Sequence, residues 1–218
     1  MKPLVIAIDG PSGAGKGTVA RAIAGELGYH HIDSGAMYRA VGWKALRDGI
    51  ALEDEPAVAA LAEAARIDLT GARVTIDGVD VTRAIRTPEI DRAAAGVARL
   101  PRVRSVLVER QRQLGQDGGI VMEGRDIGTV VFPHADVKLY LDASPDERAR
   151  RRASDPAHTG VPAAVADVAT LLTQRDESDR TRSVSPLYVA DDALVIDTTG
   201  KGVDAVVKEV IALIRGRS

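Results

Sequence analysis

The chain has 218 residues, 45% of them hydrophobic, and a formal net charge of −2. That length makes one large domain or a core with small appendages, and the near-neutral charge excludes a global pull toward nucleic acid or anionic membrane. With no cysteine and no apolar run long enough to cross a bilayer, no disulfide, thiolate metal site or membrane span is expected, and a cytosolic location without a signal peptide fits.

The first unit reads as a strand over 4–9, a glycine-rich turn and a helix over 15–27 in which Val19, Ile23 and Leu27 recur every four residues. The turn is Gly10-Pro11-Ser12-Gly13-Ala14-Gly15-Lys16-Gly17-Thr18. Its glycines let the backbone fold into a nest of inward N–H groups, and the helix behind adds its positive dipole end. Lys16 brings a mobile charge to the phosphates. Strand, glycine-rich loop and helix together point to a phosphate-binding loop. The general pattern wants Ser or Thr directly after the lysine; here Gly17 stands there and the hydroxyl follows at Thr18.

A second strand, over 29–32, ends in Asp33-Ser34-Gly35, with Ser34 the expected N-cap of a helix over 35–48. A helix over 54–66 follows. Ile67-Asp68-Leu69, Val74-Thr75-Ile76 and Val79-Asp80-Val81 then alternate as strands do, with Asp77-Gly78 as a hairpin turn. This is a small antiparallel insert. Helices are expected over 87–98 and 102–115, a buried strand over 120–122 leading into Glu123-Gly124-Arg125-Asp126, and a strand over 137–141 ending at Asp142. A helix capped by Ser144 or Asp146 carries Arg148, Arg150, Arg151 and Arg152. Loop chemistry over 154–162, a helix over 163–178, a strand over 193–196 and a helix over 203–215 complete the chain. Five short apolar strands alternating with helices predict an α/β fold, a parallel sheet wrapped on both faces. Ligands of such sheets bind at the carboxyl ends of the strands, so residues 10–18, 33–34, 125–126 and 142 are expected to face one crevice.

The candidate groups are anion binders: Lys16, Arg39, Arg104, Arg125, the cluster at 148–152, Arg175 and Arg182. One phosphate loop and many cations suit phosphoryl transfer, where catalysis is mainly positioning and charge stabilisation. If the acceptor is itself a phosphate monoester, no general base is needed, because its second ionisation lies near pH ~6. Arg148 and Arg152 are four apart on a helix and share a face, which makes them the expected donor-phosphate contacts, whereas Arg150 points to solvent. The loop behind them, with Gly160 and Pro162, is a candidate lid. The four histidines are scattered and read as core or surface residues.

GPSGAGKGT, HIDSGAMYRA, MEGRDIGTVVFP and QRDESDRTRSVSPL, in this order, resemble the bacterial cytidylate kinases, nucleoside monophosphate kinases of the P-loop class. The resemblance covers about 4–214. It implies transfer from ATP to CMP or dCMP with Mg²⁺, on a P-loop NTP hydrolase-like fold with a small antiparallel insert and a short lid. As a single domain, the core would be 1–33, 117–147 and 186–218, the monophosphate-binding part 34–116 and the lid about 153–163. The resemblance places Gly10–Thr18 on the ATP phosphates, and Ser34, Asp126, Asp179 and Arg182 around the cytosine and its sugar. Arg39, Arg104, Arg125 and Arg175 go to the phosphates. Lys16, Arg125, Arg148, Arg152 and Arg175 are the expected catalytic groups. Thr18 would touch the magnesium ion or a phosphate, with the ion held largely through water. One departure is Ala95, where some relatives carry a base-contacting serine. Small-molecule nucleotides are the expected partners, with no nucleic acid and no membrane, and a monomer is expected.

The runner-up is another small P-loop kinase with UMP or a metabolite as acceptor. A GTPase-like switch would carry an Asn-Lys-x-Asp motif, and the chain has no asparagine. A nucleic-acid binder would need stacking aromatics, and only Phe132, Trp43 and four tyrosines are present.

Overall fold

The computed structural model describes residues 3–155 and 165–216. Five parallel strands form the main sheet: β1 (Val5–Asp9), β2 (His30–Asp33), β6 (Ile120–Glu123), β7 (Val137–Asp142) and β8 (Leu194–Asp197), in the order β2-β6-β1-β7-β8. The register pairs Ile8 with Glu123 on one side of β1 and with Leu139 on the other. Alternation along β1 sorts its side chains to two layers. Ile6 and Ile8 pack with Val19 and Ile23 of α1 (Lys16–Leu27) and Val206 and Val210 of the C-terminal helix (Val203–Arg215). Ala7 faces the other way, with Ile32, Met122, Ile127 and Val108. β1 and β6 are therefore apolar on both faces, as a sheet covered twice requires, whereas β7 sets Lys138 and Tyr140 opposite Val137, Leu139 and Leu141.

A second core lies in the stretch between β2 and β6. It contains α2 (Ser34–Arg47), α3 (Glu55–Ala64), α4 (Pro88–Val97) and α5 (Pro101–Leu114), with the three-stranded antiparallel sheet of β3 (Ile67–Thr70), β4 (Arg73–Ile76) and β5 (Val79–Asp80). Val41, Val58, Ile76, Val97 and Leu107 are all fully buried there. Proline stands in the first turn of α3, α4 and α5, where its missing N–H costs nothing. The insert expected over about 67–82 is thus present as its own sheet. Helix α6 (Pro145–Ala153) begins at a Ser144 cap, and α7 (Val165–Thr181) closes the site. The helix expected to stop at 178 runs on to Thr181, so the charged run around Arg175, Asp176 and Asp179 is helical. The lid expected at about 153–163 lies mostly outside the described residues.

Two local features differ from expectation. Asp33, not Ser34, caps α2: its Oδ1 accepts the Ala36 N–H at 3.1 Å, and Ser34 is the first helical residue. After β6 the chain makes a wide π-type turn, Ile127–Val131, in which the Val131 and Phe132 N–H groups reach back five residues to Asp126 and Ile127.

Candidate active site

A cavity of about 740 Å³ opens at the carboxyl ends of β1, β2 and β6. Its floor at one end is the phosphate loop. Gly13 and Gly15 hold φ values of +82° and +89°, which residues with a Cβ rarely adopt, and Gly15 leads directly into α1. Lys16 is buried and its Nζ donates to the Pro11 carbonyl at 2.7 Å, folding the side chain over the loop. Burial, with Arg125 nearby, lowers its ammonium pKa to about 7. Gly10 and Pro11 lie beneath the cavity wall rather than on it; Ser12 to Thr18 line it. A Cβ on Gly17 would come 2.8 Å from Glu123 Oε1, so a Ser or Thr here would need the end of the β6 glutamate side chain to shift.

The same end is lined by Arg151, Thr198, Lys201, Gly202 and Val203. Arg151 was not singled out by spacing. It is held by Glu147 one turn earlier at 2.7 Å and donates to the Thr198 hydroxyl and carbonyl at 2.9 and 2.6 Å.

Arg148 is a correction. It shares a face with Arg152, but it lies under the phosphate loop and does not reach the cavity. Its guanidinium pairs with Asp176 at 2.5 Å and donates to the carbonyls of Ser12 and Ala143, both at 3.1 Å. Asp176 in turn accepts the Ser12 N–H at 3.4 Å. Arg148 and Asp176 brace the loop from behind. Arg150 is exposed as expected. Asp142 is also off the wall, its carboxylate accepting the next N–H, that of Ala143, at 2.8 Å.

At the opposite end the wall is made of paired side chains. Arg104 is buried at 2% exposure and ion-pairs with Asp126, while its guanidinium sits 5.4 Å over the Tyr38 ring. Arg182 lies 3.5 Å from the other Asp126 oxygen and donates from Nε to the Ser185 carbonyl at 2.5 Å. Arg125 donates to Asp179 at 2.8 Å. Burial raises the Asp179 pKa, but Arg125, Arg175 and Arg182 together outweigh it and hold the carboxyl below its usual range. Arg39 donates to Asp33 at 2.6 Å, and burial at that carboxyl is outweighed by Arg39, His31, the Ala36 N–H and Arg86 together, which hold it below its usual range. Ser34 Oγ donates to the Glu123 carbonyl at 2.7 Å. Arg39 Nε and Arg175 Nε are buried with no hydrogen-bond partner among the described residues. Glu123 Oε1 lies 3.0 Å from His31 Nε2, so one histidine supports the site's floor.

Beneath the two ends lies Asp9, the last residue of β1. Its two oxygens accept the N–H groups of Ile127 and Gly128 at 2.8 and 2.7 Å. Burial raises its pKa to about 6. No pattern in the sequence marks it, because its partners lie more than a hundred residues away.

A parallel sheet of this order, with a phosphate loop after its first strand and a cationic wall facing it, is the frame of the P-loop kinases. A solved structure of that class, shikimate kinase from Bacteroides thetaiotaomicron, superposes with a TM-score of 0.52 at 14% identity, over 97% of this chain and 98% of that one. A family model described as cytidylate kinase matches residues 6–216. A cytidylate kinase of Desulfitobacterium hafniense is 49% identical over 215 residues, 97% of this chain and 93% of the relative. One of Pelotomaculum thermopropionicum is 49% identical over 212 residues, 95% of this chain and 94% of the relative. The chain belongs to the cytidylate kinase family.

Proposed function

We propose that the chain transfers the γ-phosphoryl group of ATP to CMP or dCMP, with the phosphate loop as the donor end of the cavity and the paired arginines as the acceptor end. Loop N–H groups and Lys16 hold the donor phosphates. Arg39, Arg125, Arg152 and Arg175 receive the acceptor phosphate and neutralise the repulsion between two anions. The acceptor oxygen is already ionised at neutral pH, so positioning suffices and no side chain need remove a proton.

The observation that carries the choice of base is the state of Ser34. Its hydroxyl proton is committed to the Glu123 carbonyl, so the oxygen faces the cavity as an acceptor. Asp126 offers a second acceptor, with Arg104 and Arg182 as donors beside it. That set fits a base edge with an exocyclic amino group next to acceptor atoms, as cytosine has. Uracil would turn a carbonyl toward the two acceptors, leaving buried polar groups unpaired. Ala95 adds an apolar wall rather than another polar contact.

Magnesium fits the site modestly. No cluster of three or more acidic or histidine side chains suited to a metal occurs among the described residues. Mg²⁺ needs only one or two protein oxygens when phosphates and water complete its shell. Thr18 and Glu123 both line the cavity beside Lys16 and would hold it. When bound, the ion neutralises charge on the transferring phosphates.

A substrate panel tests the reading. With ATP and Mg²⁺, CMP or dCMP should turn over fastest, and UMP should fall by about 10²-fold or more in kcat/KM. Faster use of AMP or GMP would refute the assignment, and equal use of UMP would remove Ser34 and Asp126 from base selection.

A further inference from the structure

Asp91 of α4 joins three helices. Its Oδ2 accepts from Arg152 of α6, and its Oδ1 lies 3.2 Å from Nη1 of Arg175 of α7. All three side chains are at most 20% exposed. Arg152 and Arg175 line the cavity, but Asp91 does not; it meets them from behind. The same helix presents Ala94 and Ala95, and its C-cap Ala98, to the cavity within two turns of Asp91.

The two guanidinium groups repel each other, and Arg39 adds a third like charge. Burial lowers the Arg152 pKa, and Arg175 and Arg39 lower it further, while Asp91 opposes them. Two cations held close together need a counter-charge whose geometry fixes both forks. Asp91 takes hydrogens from one nitrogen of Arg152 and lies against one of Arg175. The remaining donors stay available, including the buried, unpartnered Nε of Arg175.

We propose that Asp91 is a positioning residue for phosphoryl transfer: from α4 it orients Arg152 and Arg175 so that their free donors converge on the phosphates. The inference rests on the reading above that these two arginines meet substrate phosphate. It adds that their aim is set by the part of the molecule that walls the acceptor. Arginines aimed by α4 are in place only when α4 is seated against α6 and α7, so transfer is tied to a correctly closed acceptor part.

The test is a set of variants assayed with saturating and limiting ATP and CMP, each checked by thermal unfolding. Asp91→Asn should lower kcat about 10–100-fold, the range of a small misplacement of a catalytic group, while both KM values move less than about threefold. Asp91→Glu should recover part of the loss, since it restores the charge. In the Arg152→Ala, Arg175→Ala background, Asp91→Asn should add nothing further. If the double arginine variant keeps normal kcat, the reading of those arginines fails. If it loses kcat but Asp91→Asn alone does not, the positioning role fails while that reading stands. Full additivity, or an activity loss that merely follows the unfolded fraction, also overturns the role of Asp91.

Discussion

The two ends of the cavity are made of different material. The donor end is built on one continuous loop, Ser12 to Thr18, whose glycines open backbone N–H groups, with Arg151, Thr198 and Lys201 beside it. The acceptor end is side chain against side chain: Arg104 with Asp126, Arg125 with Asp179, Arg182 between the two carboxylates. Arg125 and Asp179 are 54 residues apart. A backbone site tolerates changes of side chain but not an added Cβ against a rigid neighbour, as at Gly13, where it would come 2.9 Å from Arg148 Cβ and 3.0 Å from the Arg148 carbonyl oxygen. An ion-pair site is the reverse. It has room to vary in shape, yet removing one partner strands a buried charge.

The contrast is broken most sharply at Lys16, the side chain that the phosphate loop itself places in the cavity. Lys16→Met should lower kcat by about 10³-fold, the scale of losing a group that stabilises transition-state charge. Its thermal midpoint should hold or rise, because burial already disfavours the ammonium. Turnover within tenfold of the parent would show that the loop alone suffices. Asp126→Ala comes next. It leaves Arg104 and Arg182 without this counter-charge, and unfolding stability should drop by roughly 3–5 kcal/mol. Efficiency with CMP should fall well beyond any change in ATP affinity; equal changes in both constants would reassign Asp126 to structure. The smallest effect sharpens the electrostatic side. With Lys16 at about 7 in the free protein, most of it is neutral at pH 8, and bound phosphates restore its charge. ATP binding at pH 8 should therefore take up close to one proton, and fewer as pH drops below 7. Calorimetry in buffers of different ionisation enthalpy reads this directly. An uptake unchanged in Lys16→Met would assign the proton elsewhere.

What could be read from residues alone follows the same division. The phosphate loop was legible because strand, turn and helix are neighbours in sequence, and so was the insert, whose alternation and Asp77-Gly78 turn are local. The sheet followed from five apolar runs. Ser34 and Asp33 show the limit of local chemistry: both can cap, they are adjacent, and the carboxylate took the role while the hydroxyl turned to the Glu123 carbonyl. Arg148 and Arg152 show another. Helical spacing correctly put them on one face, but that face spans one turn, and only Arg152 clears the loop; Arg148 lies below it against Asp176. Which arginine meets which carboxylate is set by tertiary approach, and spacing within one helix says nothing of it. The π-type turn at Ile127–Val131 had no signal in composition, and Asp9, its anchor, reads in the sequence as merely the end of a strand.

Asp9 has a bearing on how such a molecule can be remodelled. The residue that fixes the turn bearing Asp126 belongs to the strand that carries the phosphate loop, and it grips main-chain N–H groups rather than side chains. The recognition residues of the acceptor turn can therefore be exchanged without touching the grip. A library that varied Ser34, Ala95, Asp126 and Arg182 while keeping Asp9 and Gly128 would sample new acceptors on an unchanged donor chassis. The anchor should be the position such a library can least afford to vary.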